Sequence, residues 1–116
     1  MNYEDRVTKE YVEGLLAGGV KIATGSYVGT GEYGAEHPSH LSFPFAPKAV
    51  WVYSSDIEKT LSPFFPQCRY ATAYMGGQTQ AVYVTFEGTE LSWYHRTSET
   101  LQFNWLGRDY YWFAIG

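Results

Sequence analysis

The chain has 116 residues, of which 19% are aromatic, and a formal net charge of −4. This length suits a single domain, and the aromatic content, with eleven Tyr and four Trp, favours β-strands. The eight Lys and Arg residues are scattered along the chain, so no basic stripe is available to neutralise phosphates and we expect no binding to nucleic acid. The single cysteine excludes an intrachain disulfide.

The N-terminal segment predicts no export signal. Residues 1–10 contain five charged side chains, whereas a signal peptide needs an apolar run at that position. The sequence also has no stretch near the roughly 20 apolar residues of a membrane span. We therefore expect synthesis in a cytoplasm and no membrane insertion.

Residues 1–19 differ in pattern from the rest of the chain. Val7, Tyr11 and Leu15 recur at i, i+4 and i+8, which predicts an amphipathic helix from about residue 5 to residue 17, ended by Gly18-Gly19. A helix of this length is marginal alone in water, so its apolar face must pack on the sheet or on other copies of itself. We therefore divide the chain into a helix at 1–19 and a β domain at 20–116, with Val7, Tyr11 and Leu15 as a candidate oligomer interface.

From residue 20 onward the apolar pattern has a period of two. It predicts about eight short strands, near residues 20–24, 41–45, 49–53, 69–75, 81–87, 91–95, 101–105 and 109–116. The segment 30–40 is interpreted as a loop, and 54–69 as a long irregular connection. Regular spacing with glycine turns is typical of a sandwich or small barrel, and we expect an all-β, jelly-roll-like antiparallel β-sandwich.

The alternation also divides the aromatic side chains between two faces. One set centres on Val50, Val82 and Trp93 and is assigned to the core. The opposite set contains Trp51, Tyr53, Tyr83, Tyr94 and Trp112. These five rings either pack within the sandwich, pack against another subunit, or form a platform for sugars. For the platform, the polar side chains expected to read sugar hydroxyls are Gln78, Gln80, Gln102 and Asn104.

Metal and cofactor sites are not expected. His37 and His40 lie three residues apart near Glu36, but only His95 and Cys68 remain to complete a four-ligand zinc site, and both are distant in sequence. We interpret His37 and His40 as solvated loop histidines.

Catalytic residues are not expected either. Cys68 lacks an activating glycine-rich turn or helix N-terminus, so we interpret it as a free, partly buried thiol. The twelve acidic residues give no reason to prefer one pair for glycoside hydrolysis. Gly29-Thr30-Gly31 does not open a helix, which a phosphate-cradling loop requires.

Several segments resemble C-terminal domains of phage tail, tail-fibre and minor structural proteins found in phages and prophages of gut Firmicutes. They are TKEYVEGLL (8–16), VKIATGSYVGTG (20–31), LSFPF (41–45), PKAV (47–50), LSWY (91–94), QFN (102–104) and YYWFAIG (110–116). The resemblance covers most of the chain except 54–80. Its motifs are structural glycines and aromatics, and no binding residues carry over from it.

The resemblance implies a virion protein: a distal tail or fibre tip domain, assembled as a homo-oligomer such as a trimer and in contact with other tail proteins. Our leading hypothesis is a non-enzymatic domain that binds host cell-surface polysaccharide through several copies. A purely structural module that trimerises and caps a fibre is the second hypothesis. A cell-wall glycan hydrolase is the third.

Overall fold

The computed structural model describes residues 21–55, 59–75 and 77–116, and these fold into β-strands arranged in two antiparallel sheets. The strands are β1 (Ile22–Val28), β2 (Ser39–Ser42), β3 (Ala49–Tyr53), β4 (Lys59–Leu61), β5 (Tyr70–Met75), β6 (Gln78–Glu87), β7 (Glu90–Tyr94) and β8 (Asp109–Ile115). The predicted all-β class is confirmed. The predicted helix, with Val7, Tyr11 and Leu15, lies outside the described residues.

The two sheets differ in size and in the way their strands follow the chain. The smaller sheet has three strands in the order β1-β8-β3, so its central strand is the last in sequence. The larger sheet has the order β2-β7-β6-β5-β4. Its middle strands β5, β6 and β7 form a meander, with a turn at Gly77 (φ 84°) and another at Gly88 (φ 62°), where positive φ angles favour glycine. The strands predicted near residues 69–75, 81–87 and 91–95 are therefore confirmed, and they pair in chain order.

A single core lies between the sheets. Val50, Val82 and Trp93, predicted as its centre, are 0%, 0% and 1% exposed. The Trp93 ring, from the larger sheet, lies 6.2 Å from Tyr27 on β1 and 5.1 Å from Phe64, which bridges to β3. Residues of both sheets thus share one apolar cluster in a sandwich-like arrangement, which burial of their alternate side chains stabilises.

The connection 54–69 is more regular than the sequence predicts. It contains β4, a strand of three residues whose Leu61 pairs with Ala73 of β5. Phe64 then exchanges two backbone hydrogen bonds with Val50, at 3.0 and 2.8 Å, and is buried. Cys68 is exposed rather than partly buried, because it lies in the turn that follows. A three-residue strand is too short to show an alternation in sequence.

The predicted strand at 101–105 is wrong, because residues 98–104 form one helical turn. Ser98 Oγ accepts the N–H of Leu101 at 3.1 Å, which is an N-cap. The turn closes when Asn104 N–H donates to Glu99 C=O and Phe103 N–H to Thr100 C=O, at 2.8 and 3.1 Å. Phe103 has φ 57°, as the residue after the end of such a turn requires.

The predicted faces of β8 are inverted. Trp112 packs on the core side, where its ring lies 5.1 Å from Phe43, while Tyr111 and Phe113 point outward. Gly25 of β1 pairs with Trp112, and a Cβ at position 25 would lie 2.5 Å from Trp112 Cζ2. The missing side chain at Gly25 therefore makes the space that the indole occupies.

Candidate functional site

Three tyrosines form a row across the outer face of the five-stranded sheet. The strand register places Tyr70 opposite Tyr83, and Tyr83 opposite Tyr94. The Tyr83 and Tyr94 rings are stacked at 5.0 Å between centroids, and Tyr70 meets Tyr83 edge-on at 5.2 Å. Offset stacking and edge contacts of this kind are the favoured aromatic geometries. Tyr70, Tyr83 and Tyr94 are called the tyrosine row below.

The row faces outward because its neighbours along each strand fill the core. Ala71 follows Tyr70, Val82 and Val84 flank Tyr83, and Trp93 precedes Tyr94, and all four are buried. Since side chains alternate between the two faces of a strand, burial of these residues directs the three tyrosines to the opposite face. Tyr83 and Tyr94 were predicted to lie opposite the core, and that placement is confirmed.

A guanidinium group lies beside the row. Arg96 comes two residues after Tyr94 and shares its face, and its Cζ lies 4.9 Å from the centroid of the Tyr83 ring. The side chain at 81, two residues before Tyr83 on the same face, is alanine, so nothing bulky competes for that space. The cation over the ring face is a stabilising arrangement and fixes one positive charge next to the row.

The other side of the row is polar and then acidic. Thr85 pairs with Ser92, and Ser92 with His40 on β2. One step further, Glu87 lies opposite Glu90. His40 joins these positions, since its Nδ1 lies 3.1 Å from Ser92 Oγ and its Nε2 lies 3.3 Å from Glu90 Oε2.

Two grooves border the tyrosine row and share Thr85 and Tyr94. The first, which we call the cationic groove, has a volume of about 400 Å³ and its charged lining residue is Arg69. The second, called the acidic groove, has a volume of about 260 Å³ and contains Glu87 and Glu90. Together they make one continuous polar and aromatic surface across the sheet.

A buried amide supports the end of this face. Gln102 is 0% exposed, and its Oε1 accepts the backbone N–H groups of His95 at 2.9 Å and Gly34 at 3.1 Å. Its Nε2 donates to His37 C=O at 3.0 Å and to Ser39 Oγ at 3.2 Å. Gln102 therefore ties the end of β7 to the loop before β2, and it does not face solvent as predicted for a residue that reads sugar hydroxyls.

Asn104 has a similar structural role. It is 6% exposed, its Oδ1 accepts the N–H of Thr30 at 2.9 Å, and its Nδ2 donates to Thr30 Oγ1 and to Glu32 C=O. The predicted role for Asn104 in reading hydroxyls is therefore replaced by a role in holding the loop 30–34. The helical turn 98–104 explains both changes, because it turns the two amides inward toward backbone groups that have no strand partner.

His95 closes the same region. It is buried, and its Nδ1 accepts the N–H groups of Thr97 at 3.2 Å and Ser98 at 3.0 Å. The proton of the neutral ring must then lie on Nε2, which donates to Gln80 Oε1 at 2.6 Å. Burial lowers the pKa of His95, so the neutral ring is the stable form near pH 7. Gln80, predicted to read hydroxyls, is a partner of this histidine.

The remaining predicted ring positions lie on the three-stranded sheet. Trp51 stacks on Phe113 with centroids 4.5 Å apart and planes 4° apart, and Tyr53 lies 5.8 Å from Tyr111. These four rings form the outer face of that sheet. Trp112 points to the core instead, so the five predicted residues divide among three places: this outer face, the core side and the tyrosine row.

The histidines that suggested a metal site do not converge. His37 Nδ1 lies 2.7 Å from Glu32 Oε2, and His40 contacts Glu90, a different carboxylate. Within residues 21–55, 59–75 and 77–116, no group of three or more His, Cys, Asp and Glu side chains is placed to hold a metal ion. Both histidines are exposed loop or edge residues that pair with one acid each.

Sequence reasoning did not single out Tyr70 or Arg96. Tyr70 lies in a predicted strand, but its inward neighbours Ala71 and Ala73 are small, so the alternation did not mark either face as apolar. Arg96 lies in a turn, where only the three-dimensional return toward Tyr83 gives it a place. The signal that could have found Tyr70 is the pair Gly76-Gly77 in the sequence, which favours a hairpin between its strand and β6.

The part of the chain that the structure describes has no helix long and apolar enough to cross a membrane. Comparisons with protein-family models, with curated proteins and with solved structures give no match to this chain.

Proposed function

We propose that the chain is a non-enzymatic phage tail or fibre tip domain that binds host cell-surface carbohydrate at the tyrosine row, as an oligomer. The observation that supports this most is the alignment of Tyr70, Tyr83 and Tyr94 on one sheet face, bordered by two grooves that meet at Thr85 and Tyr94. Aromatic rings beside polar groups suit pyranoses, which have an apolar face of C–H groups and a rim of hydroxyls.

The polar neighbours have the chemistry needed to read hydroxyls. Ser92 and Thr85 carry hydroxyl groups that donate and accept, and Glu87 and Glu90 accept. All four lie within one or two strand positions of Tyr94 on the same face. Short side chains on paired strands lose little entropy on binding, so the surface suits a shallow site.

Each site is open and shallow, so we expect weak binding per copy and strong binding by an assembly. An oligomer that presents several tyrosine rows to one polysaccharide gains avidity without new contacts. The finer fold expectations, a jelly-roll-like sandwich preceded by a helix at 1–19 that joins the copies, belong to the same proposal, as do a place in the virion and contact with other tail proteins.

Glycan arrays and pull-downs with cell-envelope fractions of Firmicutes test this function. We expect binding by the wild type and a loss of about 2 kcal/mol, roughly thirtyfold in affinity, for Tyr94→Ala or Tyr83→Ala. The matched control is Tyr53→Ala, which removes a 50% exposed tyrosine from the other sheet and leaves binding unchanged.

Two results would contradict the proposal. Equal binding by wild type and Tyr94→Ala would place any carbohydrate site elsewhere. Release of reducing ends from the bound polysaccharide would favour the glycan hydrolase, for which the opposed Glu87 and Glu90 are the carboxylates to replace first.

A second candidate function is a structural module that caps a fibre, and the outer face of the three-stranded sheet favours it. That face carries Trp51, Tyr53, Tyr111 and Phe113, with Ile22 and Val28 exposed at 59% and 57%. Aromatic and aliphatic surface of this kind is typical of subunit interfaces.

Size-exclusion chromatography with light scattering tests the structural candidate. If this face carries the assembly, Tyr111→Lys should give monomers, while Tyr11→Ser with Leu15→Ser should do so if the predicted helix carries it. A wild-type chain that is a stable monomer would contradict both oligomer interpretations.

A further inference from the structure

We propose that the saccharide bound at the tyrosine row is anionic, with its carboxylate or phosphate group beside Arg96. This inference rests on the proposed function and adds the chemical class of the ligand. It commits the site to an acidic polysaccharide, and it also predicts the direction in which the sugar lies across the sheet.

Charged side chains are separated along the outer face of the five-stranded sheet. Successive positions on one face of a strand are about 7 Å apart. Arg96 lies one such step from the tyrosine row on one side, and Glu87 and Glu90 lie two steps away on the other. The Arg96 backbone is thus about 20 Å along the sheet from the glutamates, but its guanidinium reaches to 4.9 Å from the Tyr83 centroid, which leaves about 14 Å between the charged groups.

This separation decides which charge an anionic ligand experiences. The screening length at physiological ionic strength is about 8 Å. An anion at the row is therefore within reach of Arg96, whereas an anion beside Arg96 is more than one screening length from Glu87 and Glu90. A ligand in the opposite orientation would bring its anion to the two carboxylates, which repel it.

The arginines on the two sides of the row are available to a ligand. Within the described residues, the ion pairs join His37 to Glu32 and His40 to Glu90, and none involves Arg69 or Arg96. Arg96 is exposed, and its Cζ lies 4.9 Å from the Tyr83 ring centroid. An arginine that stacks on a ring in this way keeps N–H groups that can donate two parallel hydrogen bonds to a carboxylate or phosphate.

The cationic groove carries a second positive charge on the other side of the row from Arg96, since Val84 N–H donates to Arg69 C=O at 2.8 Å and Val84 lies between Tyr83 and Thr85. Arg69 lines this groove together with Tyr70, Tyr83 and Tyr94, and no acidic residue lines it. The chain as a whole has a net charge of −4, so an arginine on each side of the aromatic row contrasts with the rest of the molecule. A carboxylate or phosphate accepts a charge-assisted hydrogen bond from Arg96, which is stronger than the hydrogen bond that a sugar hydroxyl accepts.

Calorimetric titration with three probes of equal length tests the inference on the intact chain. The probes are an oligogalacturonide, its carboxyl-reduced neutral counterpart, and an oligomer of glycerol phosphate. We expect the wild type to bind at least one anionic probe about tenfold more tightly than the neutral one, as the loss of one charge-assisted hydrogen bond would predict. The anionic probe that it prefers identifies the group as carboxylate or phosphate.

Substitution of the arginine separates this inference from the function on which it rests. Arg96→Gln should remove the preference for the anion and leave the affinity for the neutral probe unchanged, and Arg96→Lys should retain part of the preference. The control Lys48→Gln makes the same change in net charge at an exposed lysine of the other sheet, and it should leave the preference intact.

The contradicting outcomes are distinct. If the wild type binds the neutral and anionic probes equally, and Tyr94→Ala weakens both, the inference is wrong and the carbohydrate function stands. If Lys48→Gln and Arg96→Gln reduce anion binding equally, the charge acts at long range and Arg96 is not the site. Binding of none of the probes overturns the inference together with the function.

Discussion

The two outer faces of this molecule both expose aromatic rings, but they are organised differently. On the three-stranded sheet, Trp51 and Phe113 stack on each other, and exposed aliphatic residues border them. On the five-stranded sheet, the tyrosine row has Arg96 on one side and, on the other, two grooves that contain Arg69 and the pair Glu87 and Glu90. An aromatic surface alone therefore does not distinguish an interface from a ligand site, whereas the polar groups around it do.

The faces also differ in what supports them. The five-stranded sheet ends in loops held by the buried amides of Gln102 and Asn104 and by the His95 ring. The three-stranded sheet depends on close packing, of which the fit between Gly25 and Trp112 is the clearest case. Two substitutions and one pH dependence test this difference, and each acts on one side only.

The largest effect is expected for Gln102→Leu. Leucine removes four hydrogen bonds and leaves buried N–H groups of Gly34 and His95 without a partner, at about 1–3 kcal/mol for each group. We expect the free energy of unfolding to fall by about 3 kcal/mol or more, measured by urea denaturation. Gln78→Leu, on the exposed start of β6, is the control and should change it by less than about 0.5 kcal/mol.

If Gln102→Leu had the same free energy of unfolding as the wild type, the difference in support between the two sheets would be contradicted. The loops at this end would then be held by packing, as on the other side. If Gln102→Leu lost less free energy of unfolding than expected but no longer bound ligand at the tyrosine row, the Gln102 amide would position Arg96 more than it stabilises the fold.

A smaller effect is expected for Gly25→Ala. The added Cβ would lie 2.5 Å from Trp112 Cζ2, so the indole must shift within a packed core. We expect a loss of about 1–2 kcal/mol in unfolding free energy, with binding at the tyrosine row unaffected. Ser26→Ala, one residue further along β1 and directed outward, is the control. A stabilised Gly25→Ala would mean that the indole has room to move.

The smallest effect is the pH dependence from His95. Burial lowers the pKa of His95 in the folded chain below its value of about 6.5 in the unfolded chain. The stability that the neutral ring contributes is therefore fully present above pH 6.5, and it is lost as the pH falls from 6.5 through the folded-state pKa. We expect a decrease of at most about 1.4 kcal/mol per pH unit in that window. Urea denaturation at pH 7.5, 6 and 5 measures it.

His95→Asn is the control for this pH effect. Its side-chain oxygen takes the place of Nδ1 as acceptor for the N–H groups of Thr97 and Ser98 but does not titrate. The variant should therefore show a flatter profile below pH 6.5. An identical pH profile in wild type and His95→Asn would assign the acid sensitivity to carboxylates.

The sequence predicted those strands in which one face is apolar and the other is polar or aromatic. Val50 and Val52, or Leu91 and Trp93, alternate with residues of another kind, so both the strand and its buried face could be inferred. In β8 both faces are aromatic, and alternation alone does not say which one is buried. The deciding residue was Gly25 on a neighbouring strand, and its effect depends on register, which the sequence does not show.

The site was predicted in part for the same reason. Tyr83 and Tyr94 were identified because buried Val82, Val84 and Trp93 mark the opposite face. Gln102 and Asn104 were misplaced because the alternation of Leu101, Phe103 and Trp105 imitates a strand, although Ser98 is a good helix-capping residue. A single helical turn is too short to show its own period.

Cys68 is a position at which a fluorescent dye can be attached to follow ligand binding at the tyrosine row. It is the single cysteine of the chain, it is exposed, and it lies at the rim of the cationic groove beside Arg69. A maleimide dye attached to Cys68 labels each copy of the chain once, two residues before Tyr70 in the sequence. Ligand entering the groove would change the surroundings of the dye, so occupancy can be followed by fluorescence in the otherwise unaltered chain.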